Sequence, residues 1–176
     1  MTQVRLRPVD SADVAAVAAM LAHPDLVGRR GLDGDRDAER SATALTASVD
    51  GLVNPQDGDA WVVDADGVIG LATAGWWWDA LTPWTHIVID PAHQRLGHGS
   101  SAAGLVFDRL FLTTVAVLVE YSVPSWDADG LSFADSLGGE RTGARRRSGL
   151  RNGRYHDTVG FALRRRTWED ARAAGR

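Results

Sequence analysis

Val4-Arg5-Leu6-Arg7 alternates apolar and polar side chains, the mark of a half-buried strand, and Pro8 ends it. A helix is expected next, because Asp10 or Ser11 can cap it and Val14, Val17, Ala18 and Leu21 recur at helical spacing. His23-Pro24 stops that helix. Residues 28–37 are rich in Gly, Arg and Asp and read as a loop, and a second helix is expected over about 39–49. Two β-rich runs, from Trp61 to Val63 and from Val68 to Trp76, flank an Asp66-Gly67 turn and predict a hairpin. Trp84 to Asp90 reads as a further strand, ended by Pro91.

From Gly97 to Thr113 the pattern is helical, with Ala103, Val106, Phe107 and Leu110 on one face. Val115 to Tyr121 is almost continuously apolar and predicts a strand buried on both sides. Asp127 to Leu137 is a short helix stopped by Gly138-Gly139. Two strands, about 143–150 and 156–165, close the chain around Asn152-Gly153. The order is β-α-α-β-β-β-α-β-α-β-β: an α/β (α+β) chain with seven strands and about four helices.

The 176 residues suit one domain, 1–176, and 44% hydrophobic content suits a packed core. Cysteine is absent, which excludes a disulfide framework, a thiolate metal site and a cysteine nucleophile. The five His show no metal-ligand spacing, so no metal is expected. No apolar run is long enough for a membrane span, and the N-terminus lacks the apolar core of a signal peptide, so a cytoplasmic location is expected. Every basic residue is Arg. Residues 1–140 hold 8 Arg against 20 acids, whereas residues 141–176 hold 11 Arg against 3 acids. The basic end reads as a solvated hairpin balancing an acidic body; a nucleic-acid surface using Arg145 to Arg147 and Arg164 to Arg166 is the competing use, and no nucleic-acid partner is expected.

The richest segment is Ile87-Val88-Ile89-Asp90-Pro91-Ala92-His93-Gln94-Arg95-Leu96-Gly97-His98-Gly99-Ser100. A strand enters and a helix leaves. A helix start leaves N–H groups unpaired and carries partial positive charge, and glycines let an anion come close. The pair Gly97 and Gly99 therefore marks an anion site. It is not a Walker loop, since no Gly-Lys-Ser/Thr follows, nor a dinucleotide fingerprint, since the third glycine is missing.

Gln94-x-x-Gly97-x-Gly99 after a central strand resembles motif A of the GNAT superfamily of N-acetyltransferases, and the element order matches that fold over nearly the whole chain. The resemblance implies a central mixed, mostly antiparallel seven-stranded sheet, with acetyl-CoA as co-substrate. It implies that the turn, Gln94, Arg95, Leu96, Gly97, His98, Gly99 and Ser100, holds the pyrophosphate and that Ile87, Val88 and Ile89 hold the pantetheine arm. Val4 to Pro8 with Asp13, Val123 to Gly130 leading to Leu137-Gly138, and Arg151 to Asp157 are similar to the RimJ/RimL subgroup. Within that pattern Asp127 stands where an Asn helps hold the pantetheine, Gly130 where a Ser can protonate the leaving thiolate, and Gly149 where some members carry a Glu. No Tyr lies in the helix after Asp127.

An attacking amine must lose a proton. Glu120 is a carboxylate in an apolar strand, where burial would raise its pKa, or else a strand-end side chain paired with an Arg. His86 lies on the central strand and titrates in a useful range, or else simply packs there. Asp127 contacts the pantetheine or an amine, or only caps its helix; Ser132 stands in for the missing Ser, or is surface. Seven Trp are present, and Trp76, Trp78 and Trp84 with Asp79 flank one short loop. They form either an aromatic-walled pocket for a cationic amine or core and homodimer contacts. The expected function is N-acetyl transfer from acetyl-CoA to a primary amine of a small molecule or peptide N-terminus. A non-catalytic acyl-CoA-binding module is the alternative.

Overall fold

The computed structural model describes residues 3–29, 42–151 and 153–175. Seven strands form one sheet: β1 (Arg5–Pro8), β2 (Asp59–Asp64), β3 (Val68–Trp76), β4 (Pro83–Ile89), β5 (Leu118–Pro124), β6 (Glu140–Arg151) and β7 (Arg154–Arg164). Their spatial order is β1-β2-β3-β4-β5-β7-β6. Every neighbouring pair is antiparallel except β4 and β5, which are parallel. This is the mixed, mostly antiparallel seven-stranded sheet that the resemblance implies.

Helices α1 (Val14–Leu21) and α2 (Ala42–Asp50) cover one face. Val17, Leu21, Leu45 and Val49 pack there on Val62, Leu71 and Val88. Helices α3 (His98–Thr113), α4 (Ala128–Ser136) and α5 (Arg165–Ala173) belong to the opposite layer. There Ala103, Val106, Phe107 and Leu110, the face read from the sequence, are buried against Val119, Tyr121 and Phe161.

Four expectations change. The strand expected over 115–121 begins at Leu118 and alternates: Val119 and Tyr121 are buried, Glu120 is half-buried and Ser122 is exposed. Val115 and Val117 are exposed and precede the strand, in a connector whose Val117 N–H bonds the Leu81 carbonyl at 2.8 Å. Asp13, not Asp10 or Ser11, stands at the N-cap of α1, and its carboxylate is claimed by Arg7 at 2.6 Å and by the Asp10 N–H. Arg7 also bonds Asp64 at 3.2 Å, so one guanidinium ties β1, β2 and α1; Arg7 holds the Asp13 carboxyl below the usual range, and Arg5, with Arg7, does the same for Asp64. The fifth helix was not expected. Its one buried residue, Trp168, lies 5.1 Å from the Phe111 ring, so it offers no apolar stripe to the eye. The start of the second expected helix, the loop beyond Arg29 and Asn152 fall outside the described residues.

Candidate active site

Parallel β4 and β5 share one registered pair, Trp84 opposite Glu120. Beyond it the strands diverge, and a cavity of about 310 Å³ opens between Thr85–Ile89 and Tyr121–Pro124. Its wall takes Phe107, Phe133 and Ala134 from the α3/α4 layer, and Leu26 and Arg29 from the α1 layer. The cavity therefore draws its lining from both faces of the sheet. Alternation along β4 sends Ile87 and Ile89 towards α3 and Val88 towards α1. His86 shares the face of Val88. On β5, Val119 and Tyr121 face α3, which leaves Glu120 and Ser122 on the His86 face.

The rim on the α3 side is the glycine turn. Asp90 Oδ1 accepts the Ala92 N–H at 2.8 Å and starts a short 3-10 turn over Pro91–His93. Gln94 Nε2 donates to the Ile89 carbonyl at 2.8 Å and pins the turn to the end of β4. The chain then reverses through Arg95 (φ 60°) and Gly97 (φ 82°), and Gly97 N-caps α3. Left-handed backbone there suits glycine. The first helical turn leaves the N–H groups of His98, Gly99 and Ser100 without intrahelical acceptors, at the positive end of a 16-residue helix. A Cβ on Gly99 would lie 3.4 Å from the Phe133 ring, so the bare backbone keeps this rim open.

Across the rim, Asp127 N-caps α4 and is buried. Its Oδ1 accepts the Gly130 N–H at 3.0 Å and forms an ion pair with Arg29 Nη2 at 2.9 Å. Asp129, the second residue of the helix, holds Arg95 at 2.7 Å in an exposed pair. His86 is half-buried in the cavity wall, and desolvation pushes its pKa down to about 4, so it is neutral at pH 7. That is well below the range its residue type suggests. Tyr121 also lines the wall, but its hydroxyl turns under α4 to the Ala134 carbonyl at 3.3 Å, and burial raises its pKa to about 12.

The cavity gathers many of the residues singled out from sequence: His86, Ile87, Val88, Ile89, Gln94, Arg95, Gly97, Gly99, Ser100 and Asp127 all line it. Leu96 is exposed outside the wall, and His98 sits beside His93, ring centroids 6.4 Å apart. Glu120 stands at the narrow end beside the strand junction, and Ser132 is exposed on α4 away from the wall. The tryptophan group is outside the cavity lining, at the opposite end of β4 from the glycine turn, where Trp84 pairs with Glu120 at the junction. Trp76 packs into the α3-side core, Trp78 is 86% exposed, and Trp84 covers Gly75 beside Trp77. Asp79 holds its own loop through the Leu81 and Thr82 N–H groups. Sequence reasoning missed Arg29, Thr85, Tyr121 and Phe133. Arg29 follows the short turn after α1, in a stretch without periodicity that could have singled it out.

No protein-family model matches the chain, and no curated protein matches it. Solved structures do. A spermidine N-acetyltransferase from Vibrio cholerae, crystallised with CoA and spermine, superposes with a TM-score of 0.81 at 16% identity, covering 95% of this chain and 98% of that one. RimJ of Mycobacterium smegmatis, in complex with CoA-disulfide, gives 0.79 at 21% identity, over 98% and 90%. A probable GNAT-family acetyltransferase from Chromobacterium violaceum gives 0.77 at 20% identity, over 96% and 86%. The fold of this chain is the GNAT fold.

Proposed function

We propose that the protein is an N-acetyltransferase that takes acetyl-CoA from the α3 side and a primary amine from the α1 side. The observation that carries this reading is the cavity lined from both faces of the sheet, with an anion-binding turn at one rim only. The pyrophosphate would meet the N–H groups of the Gly97–Ser100 turn, with Arg95 as a second donor. The pantetheine arm would lie between the diverging strands, where Ile87 to Ile89 pair with β3 on one side and have no registered partner in β5 on the other. Its thioester would then reach the narrow end, near His86. The CoA complexes of the spermidine N-acetyltransferase and RimJ, on the same fold, support this placement.

The amine nitrogen attacks the thioester carbonyl carbon; the C–N bond forms and the C–S bond breaks. CoA leaves as a thiolate, whose pKa of roughly 8–9 needs little help near neutrality. The hydroxyl of Tyr121 is committed to α4, and residue 130 has no side chain, so the departing sulfur takes its proton from solvent. The nitrogen gives up its extra proton on the His86 and Glu120 face. A neutral imidazole with a pKa of about 4 accepts a hydrogen bond and relays a proton to water rather than keeping it.

The deciding experiment has two stages. Acetyl-CoA should raise the melting temperature, and a panel of amines and peptides should then release free thiol. Stabilisation without thiol release on any amine would favour the acyl-CoA-binding module instead. No stabilisation would refute both.

A further inference from the structure

Arg29 is the cation that lines the cavity from the α1 layer. It crosses from the end of the short turn after α1 to the N-terminus of α4, where it pairs with Asp127 at 2.9 Å. Its guanidinium carbon lies 5.0 Å from the centroid of the Trp126 ring. Its Nε is buried and has no hydrogen-bond partner among the described residues. Arg151, from the end of β6, stacks on the same Trp126 at 3.7 Å, and His156 meets that ring edge-on. Two guanidiniums thus share one indole beside the cavity.

The carboxylates of the cavity wall are spoken for. Asp127 is divided between Arg29 and the Gly130 N–H, and Asp129 is taken by Arg95 on the far rim. His86 is uncharged at neutral pH. A polyamine reaching in from this side would bring its second cation against Arg29 and Arg151, with no unpaired carboxylate in the described wall to receive it. A carboxylate on the acceptor meets the opposite situation. It finds a guanidinium that is only partly satisfied, held rigid by Trp126, next to a second one. The amine end can still reach the His86 and Glu120 side of the sheet.

We propose that the acceptor is a small zwitterion, an amine that also carries a carboxylate, with the carboxylate held by Arg29 and Arg151 and the amine aimed at the thioester. This rests on the transferase reading and narrows it. It sets the acceptor apart from the polyamines of the spermidine N-acetyltransferases that share the fold.

The test follows thiol release from acetyl-CoA with ω-amino acids of graded length, the alkylamines of matching length, peptide N-termini and spermidine. One ω-amino acid should exceed its matching alkylamine, and spermidine, in kcat/KM by about tenfold or more, the worth of a charge-assisted hydrogen bond. Arg29→Gln should collapse that preference ratio about tenfold, and Arg151→Gln should reduce it by less. Preference for spermidine or plain alkylamines overturns the assignment and leaves the transferase reading standing. Release with peptides alone overturns it equally. No release with any amine overturns both. A preference ratio unmoved in both variants, each still stabilised by acetyl-CoA, also overturns it. If either variant fails to fold, the wild-type preference decides.

Discussion

Asp127 occupies the space that a side chain at position 130 would need: a Cβ built on Gly130 would lie 2.5 Å from Asp127 Oδ2 and 2.9 Å from Val123 Cγ1. Asp127, paired with Arg29, and a side chain at position 130 therefore contend for one space. Gly130→Ser should cost about 1–3 kcal/mol through overpacking. Asp127→Ala alone should also destabilise, by removing the cap and stranding Arg29. The double variant should lose less than the two single losses added together, and denaturant titration of all three measures the coupling. Strict additivity would mean the two positions do not contend for the same space.

His86 sets an acid limit on the fold. Below pH about 6.5 its side chain in the unfolded chain takes up a proton, while the folded one stays neutral until about pH 4. The unfolded state binds more protons across that window, so stability falls as pH drops through it and is fully present above it. The loss attributable to this residue is at most about 3 kcal/mol. His86→Asn should flatten the difference between pH 6.5 and 4 in urea unfolding curves. An identical slope in both proteins would place the acid sensitivity elsewhere.

Acetyl-CoA affinity should respond to the rim in opposite directions. Gly99→Glu sets a carboxylate beside the turn N–H groups, where a Cβ is sterically tolerable, and should abolish binding by calorimetry while the apo-protein still melts cooperatively.

Asp129→Asn frees Arg95 from its 2.7 Å partner and should tighten binding, by no more than about fivefold because the pair is exposed. Unchanged affinity would mean that Arg95 does not reach a phosphate.

Arg165 closes the far end of α3. Its guanidinium donates to the carbonyls of Phe111, Thr114 and Ala116 and lies over the Phe111 ring at 5.3 Å. A cation there meets the negative end of the helix whose other end faces the cavity. Arg165→Met should cost about 2–3 kcal/mol in global stability, read by denaturant unfolding, and should leave the acetyl-CoA dissociation constant within about twofold at temperatures where the variant is folded.

How far the sequence carried depends on the kind of signal. Periodicity and turn residues placed all seven strands and the first four helices, because each buries a regular stripe or ends at Gly or Pro. The glycine turn was legible because its left-handed backbone calls for glycine, and glycine advertises backbone. The place of the Trp76–Trp84 loop was not legible, because aromatic density says nothing about which end of a strand it occupies. Arg29 was invisible because its place comes from a contact with Asp127 about a hundred positions away. The helix α5 was hidden for the reverse reason, since a single tryptophan carries all its burial.

The lone registered pair between β4 and β5 has a mechanical meaning. Within the sheet, the strands β1 to β4 and the strands β5, β7 and β6 are two rafts joined by one registered pair, Trp84 to Glu120, over a shared α3-side core. A ligand whose amides bridge the gap would serve as the missing rungs, making one raft of two. Slow hydrogen exchange in each half would then become synchronous only when the cleft is filled, and substrate occupancy would be felt as stiffness at both outer edges of the sheet, far from any atom it touches.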